Sequence, residues 1–151
     1  MSDLIIAIRT GDVKKAGTDL DVDVKLTYSD GSQSTWNRLD TPGDDHERNT
    51  VTTHRINAGS GKVSGITMRV KHEAAHLNDD VSYDAWFLSW IAISRTDLSG
   101  NQLFYRPNKW VEVPQGDANW HNVDLGAPTL SIPADEIAEI AKFVGKVFSW
   151  L

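Results

Sequence analysis

From residue 22 to residue 28 the apolar side chains Val22, Val24, Leu26 and Tyr28 alternate with Asp23, Lys25 and Thr27. A period of two turns one face of a strand to a core and the other to water. Residues 4–8, 50–56, 63–70 and 103–105 show weaker forms of the same signal, with Ile66, Met68 and Val70 on one face. A further alternating segment, Lys109-Trp110-Val111-Glu112-Val113, is ended by Pro114 and Gly116. In Trp86-Phe87-Leu88-Ser89-Trp90-Ile91-Ala92-Ile93 both parities are hydrophobic, which predicts a central strand buried on two sides or ending at an interface. Turn residues punctuate these segments at Ser29-Asp30-Gly31-Ser32, Thr41-Pro42-Gly43-Asp44, Asn57-Ala58-Gly59-Ser60-Gly61 and Leu98-Ser99-Gly100-Asn101. Strands at this spacing, with no helical pattern between them, predict an all-β fold, an antiparallel sandwich of two sheets.

After Pro128 the period changes. Ile137, Ile140, Ala141, Val144, Val147, Phe148 and Leu151 fall on one stripe of a helix, with Asp135, Glu136, Glu139, Lys142 and Lys146 elsewhere on the wheel. Pro133 near the start, acids in the first turn and lysines toward the end agree with the helix macrodipole. The expected organisation is therefore a sandwich over residues 1–127 and a linker with a C-terminal amphipathic helix over 128–151. That helix can dock on the sandwich, lie on a membrane, or engage a partner protein or a second copy, making a homo-oligomer. Its two lysines against three acids weaken the membrane reading.

Composition narrows the function classes. A length of 151 residues with 40% hydrophobic content fits one domain. A formal charge of −6 gives no basic footprint for nucleic acid. With no cysteine, disulfides and thiolate metal sites are excluded. No apolar run reaches the roughly 18–20 residues of a spanning helix, and Met1-Ser2-Asp3-Leu4 lacks the marks of an export signal. The expected location is cytoplasmic or peripheral to a membrane.

The run Thr10-Gly11-Asp12 followed by Ala16-Gly17-Thr18-Asp19 resembles the first strand and loop of PLAT/LH2 domains, β-sandwich modules found at the ends of lipoxygenases, some lipases and clostridial phospholipase toxins. Residues 39–48, then Arg69-Val70-Lys71-His72-Glu73, then Trp86-Phe87-Leu88 follow in the family's order, so the resemblance covers residues 4–113. The sequence departs from the family at His46, Asn49 and Glu73. The resemblance implies a non-catalytic module that binds a lipid surface or a protein through one end of the sandwich with the help of Ca²⁺. It places three acidic clusters there, from which the preferred ligands are Asp19, Asp44, Asp45, Glu47 and Asp79, with a carbonyl of Gly17 or Thr18. Such oxygen donors suit a hard cation with six to eight ligands. The competing reading is solvated Asp-rich turns.

Other chemistry is weakly signalled. His72-Glu73-Ala74-Ala75-His76 fits the H-E-x-x-H pattern of zinc hydrolases, which requires a helix, yet it follows a strand directly. Gly59-Ser60-Gly61-Lys62 precedes a strand and reads as a hairpin turn, and no nucleophile elbow or P-loop occurs. No enzymatic function is expected. Among the tryptophans, the resemblance implies that Trp86 and Trp110 pack at core or near-core positions. Trp36, Trp90, Trp120 and Trp150, with Phe143, are the candidates for lipid or partner contact, since an indole has an apolar body and a polar N–H, and Trp90 can alternatively cover the C-terminal helix.

Overall fold

A computed structural model describes residues 3–11, 20–39, 50–59, 61–73, 86–95, 102–130, 133–136 and 138. The strands are β1 (Asp3–Thr10), β2 (Asp21–Tyr28), β3 (Asn37–Arg38), β4 (Thr50–Asn57), β5 (Val63–Lys71), β6 (Trp86–Arg95), β7 (Leu103–Tyr105), β8 (Lys109–Val111) and β9 (His121–Val123). They form two antiparallel sheets. The first runs β4-β1-β6-β7, with β8 beside β7 on the same edge of β6, and the second runs β3-β2-β5-β9. The predicted sandwich is thus the observed architecture, with β3 and β9 as short edge strands that the sequence pattern does not announce.

Alternation builds the core. Leu4, Ile6 and Ile8 of β1, with Trp86, Leu88, Ile91 and Ile93 of β6, meet Val22, Val24 and Leu26 of β2 and Ile66, Met68 and Val70 of β5. The odd spacing from Leu88 to Ile91 is absorbed by a bulge. The β1–β6 register slips between Arg9 and Thr10, and the extra residue returns Leu88 and Trp86 to the core side. Trp86 packs as expected, and its indole N–H donates to Thr10 Oγ1 at 3.0 Å.

Three expectations are corrected. The segment at 59–62 is not a hairpin turn: β4 pairs with β1 and β5 with β2, so the chain crosses between sheets there. Gly59 makes the crossing with a φ of +64°, a region open to glycine. Trp90, expected at a lipid or partner contact, is 2% exposed. It stands on the outer side of the first sheet with Ile5, Ala7 and Ala92, all buried, and its ring lies 5.7 Å from Phe104. Trp110, expected to pack at a core or near-core position, is 41% exposed and meets Phe87 edge-to-face at 5.3 Å. The inward residue of β8 is its neighbour Val111, so strand parity turns the indole outward.

Beyond β9, Thr129 exchanges backbone hydrogen bonds with Phe104 at 2.9 and 3.0 Å, and Arg106 pairs with Glu136 at 2.9 Å. Helical backbone occupies 134–136 and 138, and the rest of the predicted helix, with Phe143 and Trp150, lies outside the described residues.

Tyr105 connects the two sheets through the core. Its hydroxyl accepts the Ile66 N–H at 3.0 Å, where β5 carries Gly65 close beneath the phenol oxygen. Burial raises its pKa above the usual value, opposed by that hydrogen bond. A Tyr105→Phe variant leaves a buried N–H without its acceptor, and urea denaturation is expected to show a loss of about 1–3 kcal/mol. Because the folded-state pKa is the higher one, the stabilisation is complete below about pH 10 and declines as pH rises through the folded value. The variant is expected to lack that alkaline component.

Candidate functional site

Strand register brings the borders of the three acidic segments to one end of the sandwich. In the first sheet, Thr10 lies opposite Thr50 and Leu88, and the Gly11 N–H donates to Phe87 O at 3.1 Å. In the second sheet, Asp21 lies opposite Lys71, and the Leu39 N–H donates to Val22 O at 2.9 Å. The sheets are joined at this end by His72, which follows β5. Its Nε2 lies 2.9 Å from both Val113 O and Pro114 O, just beyond β8. Two carbonyl neighbours mean that Nε2 carries the proton and donates. The connections 12–19, 40–49 and 74–85 therefore all leave from this end. The candidate ligands Gly17, Thr18, Asp19, Asp44, Asp45, Glu47 and Asp79 fall in them, outside the described residues.

The same contacts count against the zinc reading at its first histidine. His72 and Glu73 continue from a strand without helical backbone, and His72 is buried with Nε2 committed to carbonyls. Packing accounts for the described contacts of His72, and His76, the second histidine of the pattern, lies outside the described residues.

The outer face of the second sheet gathers a different set of residues. Alternation turns Asp21, Asp23 and Lys25 of β2 and Arg69 and Lys71 of β5 away from the core. Asp23 is 4% exposed and is held by two guanidinium groups. Arg38 Nε donates to Oδ1 at 2.6 Å, and Arg69 donates through Nε and Nη2 to Oδ2 at 3.2 and 3.0 Å. Arg38 also reaches Asp21 at 3.3 Å. Fixed in this way, the Arg69 guanidinium carbon lies 4.1 Å from the ring centre of Trp36 and 4.0 Å from that of Trp120. The indoles come from opposite edges, one just before β3 and the other just before β9. Lys25 Nζ stands 4.5 Å from the Trp36 ring and Lys71 Nζ 4.7 Å from that of Trp120.

Trp120 is steadied from its own edge. Asp117 accepts the Asn119 N–H at 2.8 Å and His121 Nε2 at 2.8 Å, and these donors hold its carboxyl below the usual range. Of the residues expected at a lipid or partner contact, the structure thus brings Trp36 and Trp120 together on one face and buries Trp90. The cations between them are not announced by the sequence, where Lys25 reads as the polar half of β2 and Arg69 and Lys71 as part of the segment that resembles PLAT/LH2 domains.

The sequence model of the PLAT/LH2 domain family matches residues 4–120. The chain is similar to a phospholipase C of Clostridium haemolyticum, 28% identical over a 126-residue alignment that covers 72% of this chain and 30% of that protein. Among solved structures, it resembles an alpha toxin from Clostridium absonum, with a TM-score of 0.59 and 21% identity over 81% of this chain and 31% of the toxin. It also resembles coral 8R-lipoxygenase, a structure described in terms of calcium activation via a C2-like domain. That TM-score is 0.56, with 16% identity over 93% of this chain and 21% of the lipoxygenase. The chain spans a third or less of the length of each.

Removing the Asp23 charge is expected to disperse the outer face. An Asp23→Asn variant leaves Arg38 and Arg69 without their shared carboxylate, with an expected cost of about 1–3 kcal/mol, since both arginines can turn to water. Tryptophan emission is expected to shift red as the Arg69 contacts to Trp36 and Trp120 loosen. Unchanged stability and emission would show that the carboxylate does not organise this face.

Proposed function

The chain belongs to the PLAT/LH2 domain family, and from that premise we propose that it is a non-catalytic module that docks on a lipid surface through its loop end with the help of Ca²⁺. The single observation that supports this most is the common exit of the three acidic segments from one end of the sandwich. A hard cation requires oxygen ligands from several directions, and separated carboxylates reach one point only if the topology returns their segments to one place. The donor set fits. Asp19, Asp44, Asp45, Glu47 and Asp79, with a carbonyl of Gly17 or Thr18, offer oxygen only. When bound, calcium would supply positive charge that offsets the acids and allows approach to anionic headgroups.

The chain's own residues supply the rest. Trp110 is exposed on the outer side of the first sheet and rests on Phe87, whose carbonyl accepts the Gly11 N–H at the loop end. An indole placed there meets the interface with an apolar body and a polar edge. The naming of the clostridial relative as a phospholipase C and of the coral enzyme's C2-like domain in calcium activation agrees with a lipid-facing, calcium-responsive role.

Sedimentation with phosphatidylserine-containing vesicles is expected to show more bound protein in calcium than in chelator. Trp110→Ala is expected to weaken the calcium-dependent part about tenfold. Equal sedimentation in both conditions, with no heat on calorimetric titration of calcium, would contradict the proposal.

A further inference from the structure

At the centre of the second sheet's outer face basic side chains outnumber acids, while alternation places Glu73 and Asp124 at its border. On a chain of formal charge −6, Lys25, Arg38, Arg69 and Lys71 stand there with Asp21 and Asp23. Asp23 is consumed in bridging the two arginines, and Asp21 lies against Arg38. The two ammonium groups stand over indole rings. A cation–π contact orients an ammonium without neutralising it, so both ammonium groups keep their charge.

We infer that this face, built on Trp36, Arg69 and Trp120 with Lys25 and Lys71, is a second membrane-contact surface that engages the phosphate groups of an anionic bilayer without calcium. The inference rests on the lipid-binding reading above and extends it to another surface. Its geometry favours a bilayer over one small anion. Lys25 lies opposite Thr67, and Lys71 is four residues farther along β5, so their backbone positions are on the order of 13 Å apart. Their ammonium groups are drawn to different indoles, from opposite edges of the sheet. Charges spread in this way meet an array of headgroups more readily than they converge on one phosphate. The two half-buried indoles beside them repeat the composition of a membrane-interface belt, where aromatic rings sit level with snorkelling lysines.

The net charge does not prevent this. Sheets in a sandwich lie about 10 Å apart, and screening at physiological salt acts over about 8 Å. A membrane on the second sheet is therefore screened from acids beyond the first sheet, and the acids of the adjoining loop end are the ones that the two ammonium groups must outweigh.

The test is sedimentation of the full chain with phosphatidylcholine vesicles, with and without phosphatidylserine, in chelator and in calcium. In chelator, wild type is expected to bind the anionic vesicles only. Lys25→Gln/Lys71→Gln is expected to bind them roughly thirty-fold more weakly, at unchanged thermal stability, and to keep the increment due to calcium. Equal binding of the double variant and wild type in chelator overturns the inference, and a surviving calcium increment then leaves the loop-end proposal standing. Loss of that increment alone, in wild type, overturns the loop-end proposal and leaves this one. Displacement by millimolar inorganic phosphate, or binding to an acidic peptide with none to vesicles, overturns the bilayer as occupant.

Discussion

The arrangement of the second sheet's outer face depends on one carboxylate. Asp23 is nearly excluded from water, and an ionised carboxylate in that position is tolerated only when its oxygens are engaged by opposite charge. Arg38 takes one oxygen and Arg69 the other. Arg69 is thereby pinned at the middle of the sheet at a fixed orientation, and a planar guanidinium held flat is a surface on which indoles pack. Trp36 and Trp120 settle against it from opposite edges, and each indole in turn lies beneath a lysine. Each layer is thus set by the one below: a buried acid, an arginine, two indoles, two ammonium groups.

The sandwich provides the platform. Antiparallel pairing of β2 with β5 places Asp23 opposite Arg69 and Asp21 opposite Lys71, while the inward parity of both strands fills the core. Tyr105 and His72 tie that sheet to the other, one through the core and one at the loop end. The loop end and the second sheet's outer face share a border at Asp21 and Lys71. A membrane approached by one therefore lies within reach of the other.

Much of the architecture is legible in the pattern of the chain. Alternation in β2 and the doubly apolar run of β6 mark a half-buried and a central strand, as found. The misplaced tryptophans show where pattern is insufficient. Trp90 sits on an outer sheet face that turns out to be covered, and Trp110 is turned outward by the parity of a strand only three residues long. The segment at 59–62 has the composition of a hairpin, because a tight crossing between sheets needs the same glycines as a tight turn. Trp36 and Trp120 could be singled out as polar-flanked indoles. Their meeting on Arg69 could not, because it depends on the register of β2 with β5 and on two edge strands too short to leave a period.

Indole N–H resonances on a nanodisc containing paramagnetic phosphatidylserine, recorded in chelator, test the central claim most directly. The account predicts strong broadening of Trp36 and Trp120, with the buried Trp86 and Trp90 sharp in the same spectrum. Sharp Trp36 and Trp120 signals on a disc that demonstrably holds the protein would contradict it.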